Sequence, residues 1–374
     1  MKENKIFVKT KSKSYPIYFG SKILASTGML IKKNLPGIKK ICVITDINLP
    51  PLILKSLKKS LENYNLTICK FKSIEKTKSF HVANKIIEEL LKKNFNRSDC
   101  VIALGGGILG DLSAFVASIT KRGLKFINIP TTLLAQVDSA IGGKTAINSK
   151  HGKNLVGTFY QPDFVISDIT TLNSLPKKEM ICGYGEILKH SLIADKKFFL
   201  WLSNNAKKML IGRDLNLLKF AIIKSCKIKS KIVSLDEREK NLRMILNFGH
   251  TFAHGFEAAK EFSKKLSHGE AVLLGMILAS QLACQKKILS IKDLLLIKRH
   301  YILLGLPNNI KKIFNKNEIN KIIYFVKKDK KNLNNKINLI LIKKIGKATR
   351  PNSFNISVKE FKKFLIESWN KKVI

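Results

Sequence analysis

The most constraining stretch of the chain is CVIALGGGILGDLSAFVASI, residues 100–119. A short apolar run enters three consecutive glycines and passes straight into a second apolar segment (108–119). That order reads as a buried strand, a tight turn and a helix. The same alternation surrounds it. ICVITD (41–46), KFINIPTT (125–132) and DFVISDI (163–169) read as strands. HVANKIIEELLKKN (81–94) carries apolar positions at helical spacing, and MKENKIFVKTK at the N-terminus reads as a further strand. Strand–helix alternation implies a parallel sheet covered by helices.

From about residue 177 the texture changes. Apolar residues recur at spacings of three and four through 178–200, 215–235, 244–260, 269–287 and 290–304, which is a helical pattern. A β-like piece, INLILI (337–342), and a final helix (358–370) close the chain. The expected division is an α/β domain over 1–177 and a mainly helical domain over 178–374, separated near LPKKE. No internal repeat is visible. No run reaches the ~18–20 apolar residues of a membrane span, and the N-terminus lacks the apolar core of a signal peptide. A cytoplasmic protein with no membrane partner is expected.

The formal net charge is +43, from 69 Lys and Arg against 26 Asp and Glu. Such a charge suggests nucleic acid. Only seven of those cations are Arg, however, and the lysines are dispersed among Ile and Asn along the whole chain. Readers of bases and phosphates favour the bidentate fork of Arg. We read the charge as a drift of composition and expect no specific nucleic-acid partner. The six Cys are scattered without a C-x-x-C pair and are expected to be free thiols.

Three motifs carry chemistry. Gly105, Gly107 and Gly110 form G-x-G-x-x-G between strand and helix, the context of a dinucleotide site. Taken alone the motif also fits a plain strand–helix turn, since the next acid after Asp111 is Asp138. PTTLLAQVDSAIGGKTAIN (130–148) offers hydroxyls, an acid, paired glycines and Lys144, and HGKN (151–154) adds Lys153 and Asn154. A lysine beside glycines suits a phosphate or carboxylate, although a Walker A loop fails because its first glycine would fall on Asp138. In NFGHTFAH (247–254), His250 and His254 stand at i, i+4. His268 follows in LSHGEAV, and Glu186 precedes in GYGEILKH. Such a set can supply three N/O ligands and leave a position open on Zn²⁺ or Co²⁺. The competing reading is histidines of core and surface. There is no H-E-x-x-H. His190 reads either as support for a metal site or as a surface residue, and His81, His151 and His300 join no constellation.

Together these segments resemble the 3-dehydroquinate synthase family of sugar phosphate cyclases. The carrying stretches are GGGILGDLSAF, KRGLKFINIPTTLLAQVDSAIGGKTAIN, GKNLVGTFYQP, EILKH, LNFGHTFAHGFE and LSHGEAVLLGM, in family order. The resemblance implies a Rossmann-like nucleotide domain followed by a helical metal-binding domain, with the active site in the cleft between them. It implies conversion of 3-deoxy-D-arabino-heptulosonate 7-phosphate to 3-dehydroquinate and phosphate, with NAD and one divalent metal, Zn or Co, in a homodimer. Carried over by motif, Glu186, His250 and His268 match metal ligands, and His254 matches a substrate-contacting or proton-relay residue. Asp138, Lys144, Asn154, Lys189, Arg243 and Asn247 match positions that hold the carboxylate and hydroxyls of a small phosphorylated sugar acid. Arg122, Lys153 and Lys330 match anion-binding positions.

For NAD, the matching positions are Asp46, Glu75, Lys78, Gly107, Ile108, Leu109, Gly110, Asp111, Thr131, Thr132, Lys144, Lys153, Thr171, Leu172, Asn173 and Ser174. Tyr184 stands in GYGE where the family more often has GLAE, and Glu75 stands in a degenerate SIE. Two other enzyme readings compete, a sibling sugar phosphate cyclase and a metal-dependent polyol dehydrogenase. The latter would not need so many cations around a phosphate leaving group.

Overall fold

The computed structural model describes residues 4–263, 265–327 and 336–370. They form two compact units. One holds residues up to Met180 together with Leu215–Arg238, and the other holds Ile181–Asp214 and the chain from Glu239 onward.

The first unit opens with β1 (Asn4–Lys9) paired antiparallel to β2 (Ser14–Gly20). Next come α1 (Thr27–Asn34), β3 (Lys40–Asp46), α2 (Pro51–Ser60) and β4 (Asn65–Phe71). After them come α3 (Phe80–Lys92), β5 (Cys100–Gly105), α4 (Gly107–Ile119) and β6 (Lys125–Pro130). A separate antiparallel hairpin, β7 (Lys144–Ser149) and β8 (Gly152–Phe159), precedes β9 (Phe164–Asp168). The main sheet has seven strands in the order β1-β2-β9-β6-β5-β3-β4 and is parallel everywhere except at the β1–β2 edge.

Side chains alternate between the two faces of this sheet. Cys42, Ile44, Val101, Ala103 and Phe126 pack with Ala83, Ile86 and Leu90 of α3 and Leu112 and Phe115 of α4. Their neighbours Ile41, Val43, Ile102, Leu104 and Ile127 pack with Leu30 and Ile31 of α1 and Leu57 of α2. Both faces are covered, so the strands are continuously apolar instead of alternating. The order places a change of winding direction between β3 and β5, where an open α/β sheet leaves a crevice beyond the carboxyl ends of its strands.

The long helices come next, α5 (Lys177–Ala194), α6 (Lys196–Leu210) and α7 (Leu215–Leu235). The helix expected over 178–200 is broken, because the Asp195 side chain caps a new helix by accepting from the Phe198 amide at 2.9 Å. The single boundary expected at 177/178 also differs from the units observed. Helix α7 folds back onto the first unit, where Cys226 donates to the Gln136 carbonyl and Ser230 to the Phe7 carbonyl, each at 3.3 Å.

The second unit holds α8 (His250–Ala259), α9 (His268–Gln285), α10 (Ile291–Leu304) and α11 (Glu318–Lys327). Short strands β10 (Lys336–Asn338), β11 (Ile342–Lys344), β12 (Lys347–Ala348) and β13 (Asn355–Ser357) lead to α12 (Val358–Asn370). The helix expected over 244–260 begins instead as a 3-10 turn, Leu242–Asn247. Gly249 then turns the chain at φ 81°, a left-handed conformation that suits glycine, and launches α8 at His250. INLILI divides between β10 and β11 because each pairs with a different partner strand.

Helices α5 and α9 touch through glycine. A Cβ on Gly269 would stand 2.2 Å from Cys182 Cα, so no other residue fits without moving a backbone. The Gly269 amide donates to the Cys182 sulfur at 3.2 Å. Farther along α5, the fully buried Tyr184 hydroxyl lies 2.6 Å from His300 Nε2, and His300 Nδ1 lies 3.3 Å from Ser203 Oγ. His300 thus joins a buried polar chain that periodicity did not reveal.

Burial holds the His300 imidazole neutral, its pKa lowered from 6.5 to about 4. Between those pH values the unfolded chain binds a proton that the folded chain excludes. Stability therefore falls as pH drops through this window, by about 3 kcal/mol in total. Denaturant unfolding of wild type and His300→Gln from pH 7 to pH 4 checks this. The wild type should lose more stability over the window, and parallel curves would contradict the assignment.

Candidate active site

Two groups of polar side chains stand out, one in each unit. In the second unit, Glu186 lies at mid-length in α5 and is 1% exposed. Neither of its oxygens accepts a hydrogen bond of ordinary geometry among the described residues. Burying an ionised carboxylate is costly unless another charge or a metal compensates it. Oε2 forms an ion pair with Lys189, one turn along the helix and itself 2% exposed. Oε1 faces His250 Nε2 at 3.7 Å.

His268 completes the cluster, and one ligand atom from each of Glu186, His250 and His268 lies within 4.8 Å of the others. Both imidazoles are oriented from behind. His250 Nδ1 donates to the Phe248 carbonyl at 3.3 Å, and His268 Nδ1 bonds the Glu257 carboxylate at 3.1 Å. His250 Nε2 thus faces the Glu186 carboxylate, and a hydrogen bond behind a histidine ring is the usual support for a metal-bound imidazole. The reciprocal contact of Ser267 and Glu270 fixes the start of α9, with the Ser267 amide donating to Glu270 at 2.8 Å.

Ligand atoms about 2.0–2.2 Å from a tetrahedral zinc stand about 3.3–3.6 Å apart. The Glu186–His250 separation therefore needs only small adjustment. A buried carboxylate oxygen and two imidazole nitrogens form a borderline donor set that suits Zn²⁺ or Co²⁺. His254 is exposed one turn beyond His250, with ring centroids 5.8 Å apart. Arg243 is 2% exposed in the 3-10 turn, and the Asn247 amide donates to Glu239 at 2.7 Å.

The second group lies at the carboxyl edge of the parallel sheet. Asp46 ends β3, and Glu75 to Lys78 follow β4. Gly107 to Asp111 open α4 after β5, Thr131 and Thr132 follow β6, and Thr171 to Ser174 lie in the turn after β9. Five parallel strands thus deliver every one of these residues to the same edge. Gly106 caps α4, whose first amides point outward, a ready site for a pyrophosphate. The buried Lys78 ammonium donates to Asp111 at 2.7 Å and also to Asn154 Oδ1. Burial pushes the Asp111 carboxyl up, against the pull of Lys78. Lys153 faces Glu75 at 3.5 Å, and Lys144 begins β7 as an exposed residue.

Several expectations change in detail. Asn154, matched to substrate, also accepts from Lys78 and so adjoins the sheet-edge group. Arg122 does not join that group. It follows the C-terminus of α4, whose 13 residues span about 20 Å from the glycine turn. Lys330 lies outside the described residues.

One cation was missed, Lys229 of α7. Its ammonium donates to both the backbone and side-chain oxygens of Asp138 at 2.6 Å. Asp138 itself sits in a single π-helical turn, Ala135–Ser139. The signal was present, because Lys229 interrupts the buried stripe that includes Ile222, Cys226 and Val233.

Comparison with known proteins gives a consistent picture. Residues 68–182 match the family model for the 3-dehydroquinate synthase N-terminal domain, and residues 183–332 match that for the C-terminal domain. A 3-dehydroquinate synthase of Pelagibacter ubique (strain HTCC1062) is 50% identical over 351 residues, covering 94% of this chain and 95% of that protein. Among solved structures, 2-deoxy-scyllo-inosose synthase complexed with carbaglucose-6-phosphate, NAD⁺ and Co²⁺ superposes with a TM-score of 0.84 at 25% identity. That match covers 98% of this chain and 100% of the other. The 2-epi-5-epi-valiolone synthase ValA from Streptomyces hygroscopicus subsp. jinggangensis 5008, with NAD⁺ and Zn²⁺ bound, shares the fold. Its TM-score is 0.83 at 23% identity, over 96% and 97% of the two chains. With both domain models matched in order and half of its residues identical to a curated relative over nearly all of its length, the chain belongs to the 3-dehydroquinate synthase family.

Proposed function

We propose that Glu186, His250 and His268 hold one divalent metal and that the residues at the carboxyl edge of the sheet hold NAD. The convergence of three ligand atoms within 4.8 Å around a buried carboxylate carries the reading. The chain converts 3-deoxy-D-arabino-heptulosonate 7-phosphate to 3-dehydroquinate and phosphate. It is a phosphorus–oxygen lyase, EC 4.2.3.4, of the shikimate pathway that leads to chorismate and the aromatic amino acids. The reaction runs through oxidation of the C5 alcohol, β-elimination of phosphate, re-reduction, ring opening and an aldol closure. NAD⁺ is bound together with Co²⁺ in the 2-deoxy-scyllo-inosose synthase and with Zn²⁺ in ValA, and NAD with one such ion serves the reaction here.

When bound, the nucleotide supplies a reversible hydride acceptor and the metal supplies Lewis acidity at the C5 oxygen. The protein's own groups have separate tasks. Lys189 pairs with Glu186 Oε2 in the buried interior and so fixes the direction of that carboxylate. The Phe248 carbonyl and the Glu257 carboxylate fix the two imidazole rings through their Nδ1 atoms. His254, exposed beside His250, is the group we assign to proton movement at the substrate. Arg243, Asn247, Lys189, Asp138 and Lys144 are assigned to the substrate's carboxylate and hydroxyls, with Asp138 accepting from a hydroxyl and the others donating, where fixed partners act mainly by orientation. Lys78, Asp111, Asn154 and Lys153 hold the nucleotide side. The surroundings of a soluble biosynthetic enzyme of the cytoplasm complete this reading, and no helix of the described residues is long and apolar enough to cross a membrane.

The ligand set has a direct test. Chelator treatment should stop phosphate release, and Co²⁺ or Zn²⁺ should restore it. His250→Ala should neither bind cobalt stoichiometrically nor recover, with its thermal unfolding close to wild type. Full cobalt occupancy in that variant would remove His250 from the set.

Arg122 matches an anion-binding position of the family, yet it stands at the far end of α4 from the glycine turn of its own chain. We therefore assign it to the site of a second copy in a homodimer. Co-expressed Arg122→Ala and His250→Ala chains, each inactive alone, should regain about a quarter of wild-type turnover through mixed dimers with one intact site. No recovery in verified mixed dimers would contradict this assignment.

A further inference from the structure

Asn148 closes the KTAIN stretch and carries none of the matched metal, substrate or nucleotide roles, yet it touches both the Glu75–Lys78 turn and Asn154 of the sheet-edge group. It sits in β7 at the point where the β7–β8 register shifts, between Ile147 and Ser149. Such an irregularity releases a residue from the ladder and re-aims its groups. The freed Asn148 amide donates to the Lys78 carbonyl at 2.7 Å.

Its side chain is used at both ends. Nδ2 donates to the Glu75 carbonyl at 3.1 Å and to Glu75 Oε1 at 2.8 Å, and Oδ1 accepts from the Asn154 amide at 2.9 Å. The Asn154 donor is a backbone N–H, which fixes the orientation of the Asn148 amide without ambiguity. Asn154 itself holds a left-handed backbone at φ 55°. That conformation suits asparagine but is sparsely populated, so neighbouring contacts must maintain it. From there Asn154 Oδ1 reaches Lys78, and Lys78 reaches Asp111.

We propose that Asn148 is the positioning residue that ties the β7–β8 hairpin to the Glu75–Lys78 turn and so presets the nucleotide-binding group before NAD arrives. The proposal rests on the assignment of Glu75, Lys78, Lys153 and Asn154 to NAD made above. The chemistry admits no close substitute. Aspartate has the shape but no donors, and it would set a carboxylate against two oxygens of Glu75. Glutamine is one methylene too long, and alanine breaks all three side-chain bonds. Binding NAD to a group that must first be ordered costs affinity, and a preset group avoids that loss.

The test is calorimetric titration of NAD into the full-length protein, with thermal unfolding and cobalt stoichiometry measured on each variant. Asn148→Ala should weaken NAD binding about tenfold, the scale of a few net hydrogen bonds, while cobalt binding stays intact. Asn148→Asp should weaken it at least as much. In a Glu75→Gln background, where the side-chain amide introduced by that change can donate to the new carboxylate, the further loss caused by Asn148→Asp should be less than about threefold. A merely structural role would lower unfolding temperature and cobalt binding together and give the same loss in both backgrounds. That result overturns the proposal, as do Asn148 variants that bind NAD within twofold of wild type. Lys78→Ala separates the two claims. If it weakens NAD binding while the Asn148 variants do not, only the positioning role falls. If Lys78→Ala also leaves NAD binding unchanged, the nucleotide assignment falls and the proposal falls with it.

Discussion

A carboxylate removed from water inside a helical unit must be answered by other charges, and Glu186 sets that requirement here. Desolvating such a group costs several kcal/mol even after relaxation. Lys189 answers one oxygen, His250 faces the other, and His268 joins the same cluster. The surrounding architecture follows from holding these groups in register. Gly269 lets α9 lie against α5 at backbone contact, Gly249 turns the chain into α8 at His250, and Ser267 with Glu270 starts α9 at His268. Each of the three candidate ligands thus comes from the body or first turn of a helix, which favours a fixed geometry.

The first unit solves a different problem. A parallel sheet covered on both faces leaves only its edges for function, and the carboxyl edge gathers the turns after β3, β4, β5, β6 and β9. The glycine turn after β5 gives backbone amides, and Lys78 with Asp111 gives a paired charge beside them. Among the described residues of this unit the hairpin β7–β8 is the one strand pair outside the main sheet, and it brings Asn148, Lys153 and Asn154 against that edge.

The parts that sequence revealed share one property, a local pattern with few alternatives. The run through 100–119 could only be a buried strand, a glycine turn and a helix, and it appears as β5 and α4. The i, i+4 histidines fall in α8 as spaced. What sequence hid depended on pairing and packing. Strand β4 is half-buried at the sheet edge and lacks a clean alternation, and the hairpin is a short, largely solvent-facing ladder. Asp195 and Gly249 broke helices whose apolar spacing ran on past them. Family motifs named candidate site residues but not their neighbours. The union of Asn154 with Lys78, the hold of Lys229 on Asp138, and the remoteness of Arg122 from the glycine turn all required the fold.

The central claim is a redox reaction that closes on itself, so that the nucleotide is consumed and returned in every turnover. The most direct measurement counts phosphate released from 3-deoxy-D-arabino-heptulosonate 7-phosphate against NAD supplied in limiting amount, while the absorbance of reduced nicotinamide is followed. The account predicts many phosphates released per NAD with no net reduced nicotinamide. Reduced nicotinamide accumulating one for one with substrate would mark a net dehydrogenase. No phosphate release from protein loaded with metal and NAD would equally contradict the account and direct the search to other phosphorylated sugars.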